Sequence, residues 1–147
     1  MTSERGKTMF YGEYKHTIDS KGRLFIPAKL RDKLGGSFIL SRGFDKCVCV
    51  YPEEEWERFT AKIEELPVAK ERRVRRYFYA YSEDGSIDAQ GRVTVNKDFR
   101  EFASLEKDVV IIGNRNHFEI WSAEAWAEEK NAFDNEDITN ELIELGF

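Results

Sequence analysis

The sequence predicts an α+β protein, mostly β, in which two tandem copies of one half-domain are joined and flanked by helices. Residues 18–26 return at residues 87–95, 69 positions later, with the same Asp, Gly and Arg spacing. In both copies, short β-rich segments alternate with turn residues and are followed by an amphipathic helix. A chain of 147 residues that is 41% hydrophobic is long enough to bury a shared core.

The match between the copies continues beyond this segment. Residues 30–32 correspond to residues 99–101 at the same offset. After one inserted residue, further pairs match at an offset of 70: Gly43 with Gly113, Val48 with Phe118, Val50 with Ile120, Tyr51 with Trp121, and Trp56 with Trp126. So many matches in one order indicate an internal duplication.

The first copy begins with two short strands, at 14–18 and 23–26, on either side of the turn sequence Asp-Ser-Lys-Gly. The glycine supplies the positive φ that such a turn needs. Pro27 suits the start of a short helix over 28–34, and Gly35 suits its end.

A hairpin and a longer helix complete the first copy. The hairpin strands are predicted at 38–40 and 47–51. Pro52 begins the helix, and the three glutamates that follow complement the positive end of the helix dipole. Helical spacing predicts one apolar face on this helix, made of Trp56, Phe59, Ile63 and Leu66.

The second copy is predicted to repeat these elements at Ile87, 93–95, 99–102, 109–112 and 118–121, with a helix from about Ala123. Four short strands and a small helix cannot bury both of their faces alone. We therefore predict that the two copies complete one another across a pseudo-twofold axis and form one compact domain.

A basic segment separates the copies. Helical spacing places the apolar residues Val74, Tyr77, Phe78 and Tyr81 on one face of it. Its arginines could contact phosphates, or pair with Glu64 and Glu65 or with an acidic helix of a neighbouring subunit; ion pairing is the favoured interpretation. The predicted organisation is an N-terminal extension at 1–8, a first repeat at 9–66, a basic linker helix at 67–82, a second repeat at 83–130 and an acidic tail at 131–147.

Charge is distributed unevenly along the chain. The net charge is −5, yet residues 1–52 carry +5 and residues 101–147 carry −9. The basic first half is a candidate nucleic-acid surface, although a solvated surface of mixed charge is an equal alternative. No apolar run approaches a membrane span and no apolar segment of a secretion signal follows the N-terminus, so we expect a cytoplasmic protein without a membrane partner.

The remaining chemistry-bearing residues predict neither an enzyme nor a cofactor. Cys47 and Cys49 lie on one face of a strand and are interpreted as buried free thiols. A metal site is the weaker alternative, because His16 and His117 are distant in sequence. Asp19 and Asp88 could form a carboxylate pair for acid–base chemistry, but their equivalent positions in the repeat explain them better. No nucleophile or phosphate-loop motif is present.

The repeated motif Asp-x-x-Gly-Arg has a structural and a functional interpretation. An Asp that starts a turn accepts backbone N–H groups, and an Arg four residues later can reach back to it. The same Arg, at the start of a strand, can point out of a β-ribbon towards a base edge in the major groove. The two interpretations are compatible, and the motif residues are Asp19, Gly22 and Arg23 in the first copy and Asp88, Gly91 and Arg92 in the second.

Basic residues are concentrated around the first motif. The candidate DNA-binding residues are Arg23 and Arg92 together with Lys15, His16, Lys21, Lys29 and Arg31. The second copy has Asp84, Gly85 and Gln90 at the positions of Lys15, His16 and Lys21. We therefore expect the first copy to carry most of the DNA contact and the second to support fold and assembly.

These residues carry a resemblance to a known family. The sequences Met-Phe-x-Gly at 9–12, His-Thr-Ile-Asp-Ser-Lys-Gly-Arg at 16–23 and Ile-Pro-x-x-Leu-Arg at 26–31, with the second Asp-x-x-Gly-Arg motif, resemble MraZ proteins over about residues 9–129. The resemblance implies that each copy is an AbrB/MazE-like swapped-hairpin half, so that one chain forms a duplicated, double-psi-like barrel. It also assigns Arg23 as the DNA-binding arginine, His16 and Arg31 to positions of basic contacts, and Arg92 to the same motif.

The resemblance further implies a function and an assembly. MraZ proteins are transcriptional regulators encoded at the head of the division and cell-wall gene cluster. They bind direct repeats in their own promoter, generally repress it, associate with the nucleoid and form rings. The expected partners are therefore double-stranded promoter DNA and further copies of this chain. The alternative function is an antitoxin-like or structural ring that binds another protein.

Overall fold

The computed structural model describes residues 9–135 and 137–147, so the predicted extension at 1–8 lies outside the described residues. The strands in this part of the chain are β1 (Glu13–Thr17), β2 (Arg23–Phe25), β3 (Phe38–Arg42), β4 (Val48–Pro52), β5 (Ser82–Gly85), β6 (Arg92–Thr94), β7 (Asp108–Gly113) and β8 (Phe118–Ser122). The α-helices are α1 (Ala28–Leu34), α2 (Glu53–Ala61), α3 (Val68–Ala80), α4 (Lys97–Phe102), α5 (Ala123–Asn135) and α6 (Ile138–Glu144), and a 3₁₀ helix (Lys62–Glu65) follows α2.

The strand order shows the predicted internal symmetry. Six strands form an antiparallel sheet in the order β1-β7-β8-β4-β3-β5, and β2 pairs with β6 in a separate ribbon. Exchanging each strand for its equivalent in the other copy gives the same order in reverse. Leu24 pairs with Val93, and Cys49 pairs with Glu119, so equivalent residues of the two copies meet on the pseudo-twofold axis. The α+β class with duplicated halves is confirmed.

The two copies exchange strands. β1 and β2 lie on either side of the first Asp-x-x-Gly-Arg turn and are joined by a single bridge between Ile18 and Leu24. β1 then pairs along its length with β7 of the second copy, and β5 pairs in the same way with β3 of the first. Neither copy can therefore complete its hydrogen bonding alone.

The large sheet is covered on both faces. On one face, Val48, Val50, Phe118 and Ile120 pack with apolar residues of the β2–β6 ribbon and of helices α1 and α4. The other face packs against the longer helices through a second cluster, whose buried members are Cys47, Cys49, Tyr51, Trp56, Ile63, Phe78 and Trp121. Alternation of side chains along β4 and β8 explains why neighbouring residues belong to different clusters.

Several predicted elements differ from the structure. The repeat predicts a strand at Ile87, and the structure forms it earlier, as β5, with Ile87 in a single bridge to Val93. The sequence Ser-Glu-Asp-Gly of β5 has no apolar alternation, and backbone pairing with β3 forms the strand. Gly85 is opposite Phe38, whose ring occupies the space that a Cβ would fill. Leu66 was placed on the buried face of α2, but that helix gives way to the 3₁₀ turn after Ala61 and Leu66 is 36% exposed. Within the described residues, no helix is both long and apolar enough to cross a bilayer.

Candidate nucleic-acid interface

Each Asp-x-x-Gly-Arg motif forms a turn that is closed by its aspartate. In the first copy, Asp19 Oδ1 accepts the backbone N–H groups of Lys21 and Arg23 at 3.0 and 2.8 Å. Its Oδ2 accepts Arg23 Nε at 2.7 Å. Gly22 has φ +81° and donates its N–H to the Asp19 carbonyl at 2.9 Å. The glycine is needed because few other residues adopt this φ.

The second copy reproduces this turn closely. Asp88 accepts the backbone N–H groups of Gln90 and Arg92 and the Nε of Arg92, each at 2.9 Å. Gly91 also has φ +81°. The structural interpretation of the motif therefore holds in both copies.

Hydrogen bonding keeps both turn aspartates ionised. The backbone N–H of Arg23, aided by its side chain, lowers the pKa of Asp19 below its ordinary value, against a smaller opposing effect of burial. Arg92 lowers the pKa of Asp88 in the same way. Each turn therefore holds a charged carboxylate against its own arginine at neutral pH.

Strand exchange places each turn against the other copy. Ile26 donates its N–H to the Gly91 carbonyl at 3.0 Å, and Val95 donates to the Gly22 carbonyl at 2.7 Å. The side chain of Arg31 lies over Gly91 and donates Nε to the Ile26 carbonyl at 2.8 Å. Arg100, the equivalent of Arg31 in the second copy, lies over Gly22 in the same manner.

The spatial grouping of the basic residues thus differs from their grouping in sequence. Arg31 also lies 5.3 Å from the ring centroid of Phe25, and the His16 ring lies 5.7 Å from that ring. His16 and Arg31, predicted to surround a first-copy ribbon, lie instead near the second turn and Arg92. Arg100 lies near the first turn, against Gly22. The prediction of a separate first-copy ribbon is wrong, because the ribbon consists of one strand from each copy.

The two motif arginines differ in what their terminal nitrogens contact. Both side chains are partly exposed, at 34% for Arg23 and 30% for Arg92. Arg92 Nη2 donates to Gln90 Oε1 at 3.3 Å. Among the described residues, the Nη atoms of Arg23 have no hydrogen-bond partner in the protein. The first turn therefore presents a guanidinium that is fixed at Nε and free at its outer edge.

The other candidate residues surround the turns at the surface. Lys15 on β1, Lys21 in the first turn and Lys29 on α1 are all exposed. None of the three forms an ion pair with a described residue. The candidate DNA-binding residues predicted from the sequence do not include Phe25, or Arg100, the repeat equivalent of Arg31.

Ion pairing, the favoured interpretation for the arginines of α3, occurs for Arg75, but with a different partner from those predicted. Arg75 pairs with Glu71 of the same helix. In residues 9–135 and 137–147, no ion pair joins these arginines to Glu64 or Glu65. On the apolar face of α3, Phe78 is buried and Val74 packs against the second cluster, whereas Tyr77 and Tyr81 remain exposed.

Comparison with known proteins identifies similar chains over almost the whole sequence. The family described as "MraZ protein, putative antitoxin-like" matches residues 9–76 and 80–144. A protein of Lachnoclostridium phytofermentans named transcriptional regulator MraZ is 45% identical over 140 residues, 94% of this chain and 98% of its own. Proteins of the same name from Heliobacterium modesticaldum and Lactiplantibacillus plantarum are 47% and 43% identical, each over 93% of this chain and 99% and 100% of their own. These relatives are named as regulators, and the prediction that the chain is not an enzyme is confirmed.

Proposed function

The chain belongs to the MraZ family, and we propose that it regulates transcription by binding specific sequences in double-stranded promoter DNA. The observation that supports this most directly is the state of Arg23. Its Nε is held by Asp19 at 2.7 Å, while its Nη atoms contact no described residue and the side chain is one-third exposed.

An arginine fixed in this way is suited to reading a base. A guanidinium donates two parallel hydrogen bonds to the O6 and N7 of guanine in the major groove, and such a contact discriminates by roughly 1–3 kcal/mol. The aspartate reduces the number of conformations that the side chain loses on binding. Arg23 is therefore assigned to base recognition, and the exposed Lys15, Lys21 and Lys29 to phosphates.

The second turn has a different proposed role. Arg92 is held both by Asp88 and by Gln90, so its guanidinium is less available. The nearby Arg31 can still add positive charge at that end of the ribbon, and the His16 ring can add a hydrogen bond. We assign these three residues to weaker, phosphate-directed contacts and to holding the ribbon together.

Assembly into a ring would explain how so small a surface achieves specificity. One ribbon of two three-residue strands makes few contacts, so a single DNA site should be bound weakly. Several ribbons in one homo-oligomeric ring would bind tandem direct repeats at high effective concentration, which raises apparent affinity by roughly 10²–10⁴. In this proposal the protein represses the division and cell-wall gene cluster that includes its own gene, and associates with the nucleoid.

A gel-shift titration with the DNA upstream of the protein's own gene tests the proposal. We expect wild-type protein to retard this DNA, with affinity that falls steeply as salt rises. Arg23→Ala should abolish specific retardation without changing the oligomeric state. Arg76→Ala is the matched control, because it removes the same charge from an exposed position on α3. If both variants lost binding equally, Arg23 would contribute charge and not recognition.

The division of labour between the turns has its own test. Arg92→Ala should reduce folding or assembly more than it reduces specificity. A soluble, assembled Arg92→Ala variant that fails to bind DNA would contradict this assignment. Tandem repeats should also bind far better than one repeat at equal DNA length, and equal affinities would refute the multivalent mechanism.

The second candidate function is an antitoxin-like or structural module that binds a protein. The exposed apolar residues at the C-terminal end favour it, since Ile143, Leu145 and Phe147 are 62%, 72% and 89% exposed. If an assembled wild-type protein retarded no upstream DNA, and captured a protein in a salt-insensitive manner, this function would replace the regulator.

A further inference from the structure

Two buried cysteines and a carboxylate converge on the sheet face that is opposite the β2–β6 ribbon. Cys47 and Cys49 are free thiols, 1% and 5% exposed. Their sulfur atoms and a carboxylate oxygen of Glu119 all lie within 4.8 Å of one another. This cluster takes no part in the proposed DNA interface.

The duplication brings these residues together. Cys49 of β4 pairs directly with Glu119 of β8 on the pseudo-twofold axis. Alternation along β4 places Cys47 on the same face as Cys49. The sequence offers only the distant His16 and His117 as further soft ligands, whereas strand pairing brings in the carboxylate of Glu119.

Three donors hold the carboxylate of Glu119. His117 Nε2 lies 3.1 Å from Oε2, Asn114 Nδ2 donates to Oε2 at 3.0 Å, and Trp121 Nε1 donates to Oε1 at 2.9 Å. Hydrogen bonding of this kind is typical of groups that orient a metal ligand. Glu119 is only 14% exposed at its side chain, so its position is well defined by these contacts.

The sulfurs lie beside a glycine and next to a small cavity. A Cβ at Gly43 would lie 2.6 Å from Cys47 Sγ and 2.9 Å from Cys49 Sγ, so glycine is required beside the two sulfurs. Two of the three residues of the cluster, Cys49 and Glu119, line a cavity of about 180 Å³, together with His117.

We propose that Cys47, Cys49 and Glu119 bind one Zn²⁺ ion, with His117 as a positioning residue for Glu119. Two thiolates and a carboxylate are ligands that Zn²⁺ accepts, whereas Cu⁺ prefers sulfur alone and Mg²⁺ oxygen alone. Binding replaces two S–H bonds with two Zn–S bonds and releases two protons. Water completes the tetrahedron, because no fourth His, Cys, Asp or Glu of the described residues places a ligand atom in this group.

The ion would join the two copies. Cys47 and Cys49 come from the first copy and Glu119 from the second, so one ion would cross-link the central strand pair at the axis. Metal binding should therefore stabilise the fold by mass action. The site is on the face of the sheet opposite the ribbon, so metal binding can be tested independently of DNA binding.

Cobalt titration of the reduced, metal-free full chain tests the site. We expect uptake of one Co²⁺ per chain with sulfur-to-cobalt charge-transfer absorption, and its displacement by Zn²⁺. Cys47→Ser and Cys49→Ser each leave one thiolate and should therefore lose at least half of that absorption, and Glu119→Gln should weaken binding. His117→Gln should lower affinity by roughly 10- to 100-fold. Glu106→Gln, an exposed carboxylate elsewhere, is the matched control and should bind as wild type does.

Other results would overturn the proposal. Absence of charge-transfer absorption in reduced wild-type protein would do so, as would absorption of undiminished intensity in either cysteine variant. Unchanged affinity in Glu119→Gln would refute the role of the carboxylate. If the cysteine variants failed to fold, the rate of thiol labelling of wild-type protein with and without Zn²⁺ would decide. Both thiols are already shielded by burial, so Zn²⁺ should slow their labelling further, and equal rates in the two samples would refute the site.

Discussion

Gly22→Ala tests whether the first turn is held by the backbone of the other copy. Alanine at φ +81° is strained by roughly 1–2 kcal/mol. Its Cβ would also lie 2.5 Å from the Val95 carbonyl oxygen, so one of the two backbones must move. Movement of Val95 would weaken two hydrogen bonds, one from its N–H to the Gly22 carbonyl and one that its own carbonyl accepts from Arg100. Each contributes roughly 0.5–1.5 kcal/mol. The total expected loss of unfolding free energy is roughly 2–5 kcal/mol.

Gly91→Ala is the matched control for this change. Gly91 has the same φ in the equivalent turn, but the nearest atom to its added Cβ belongs to a side chain, the guanidinium of Arg31 at 3.0 Å, and not to the backbone. We expect this variant to lose the strain and at most the hydrogen bond from Arg31 to the Ile26 carbonyl, together roughly 1–3.5 kcal/mol. Urea unfolding followed by tryptophan fluorescence gives both values, provided that the m-value is unchanged. If Gly22→Ala cost no more than Gly91→Ala, contact with the Val95 carbonyl would not be what holds the first turn.

Three further predictions concern stability. The pKa of Asp19 in the folded protein lies below the ordinary 3.8. Its contribution to the free energy of unfolding is therefore complete above pH 3.8 and is lost as the pH falls through the folded pKa. Asp19→Asn should flatten this acid dependence in unfolding curves measured between about pH 7 and 3. Leu24→Ala should lose roughly 2–5 kcal/mol in urea unfolding, because Leu24 is fully buried on the axis, and a loss as small as that of the half-exposed Phe25→Ala would argue against a packed ribbon. Arg75→Ala should change the unfolding free energy by less than about 1 kcal/mol, since half of that side chain is exposed, and a larger loss would indicate that it contacts a neighbouring subunit.

Much of the fold could be predicted because the duplication is visible in the sequence. Equivalent positions in two copies imply a twofold arrangement, and the short helix over Ala28–Leu34 was located from Pro27 and Gly35 alone. Strand exchange follows only from the resemblance to swapped-hairpin halves, because apolar alternation defines a strand's buried face and not its partner. The bounds of β5 differ from the strand predicted at Ile87 for a related reason, since the stability of β5 comes from backbone pairing with β3.

The sequence predicts the residues of the candidate site but not how they are arranged in space. The contact between Asp19 and Arg23 follows from their four-residue spacing, which lets the side chain reach back. The position of Arg31 beside Gly91 depends on the exchanged ribbon and has no local signal. The proximity of Cys49 to Glu119 is equally non-local, because it arises from the register of β4 and β8.

Strand exchange also has a consequence for synthesis on the ribosome. β1 ends at Thr17 and its partner β7 begins at Asp108, so β1 has no partner until most of the chain has been made. At typical elongation rates of 5–20 residues per second, that interval is about 5–20 s. Such distant pairings also form slowly, because the conformational entropy of closing the long loop is lost before the stabilising contacts form. During this interval the nascent first half presents an open strand edge, and two nascent chains on one messenger could exchange halves before either is complete.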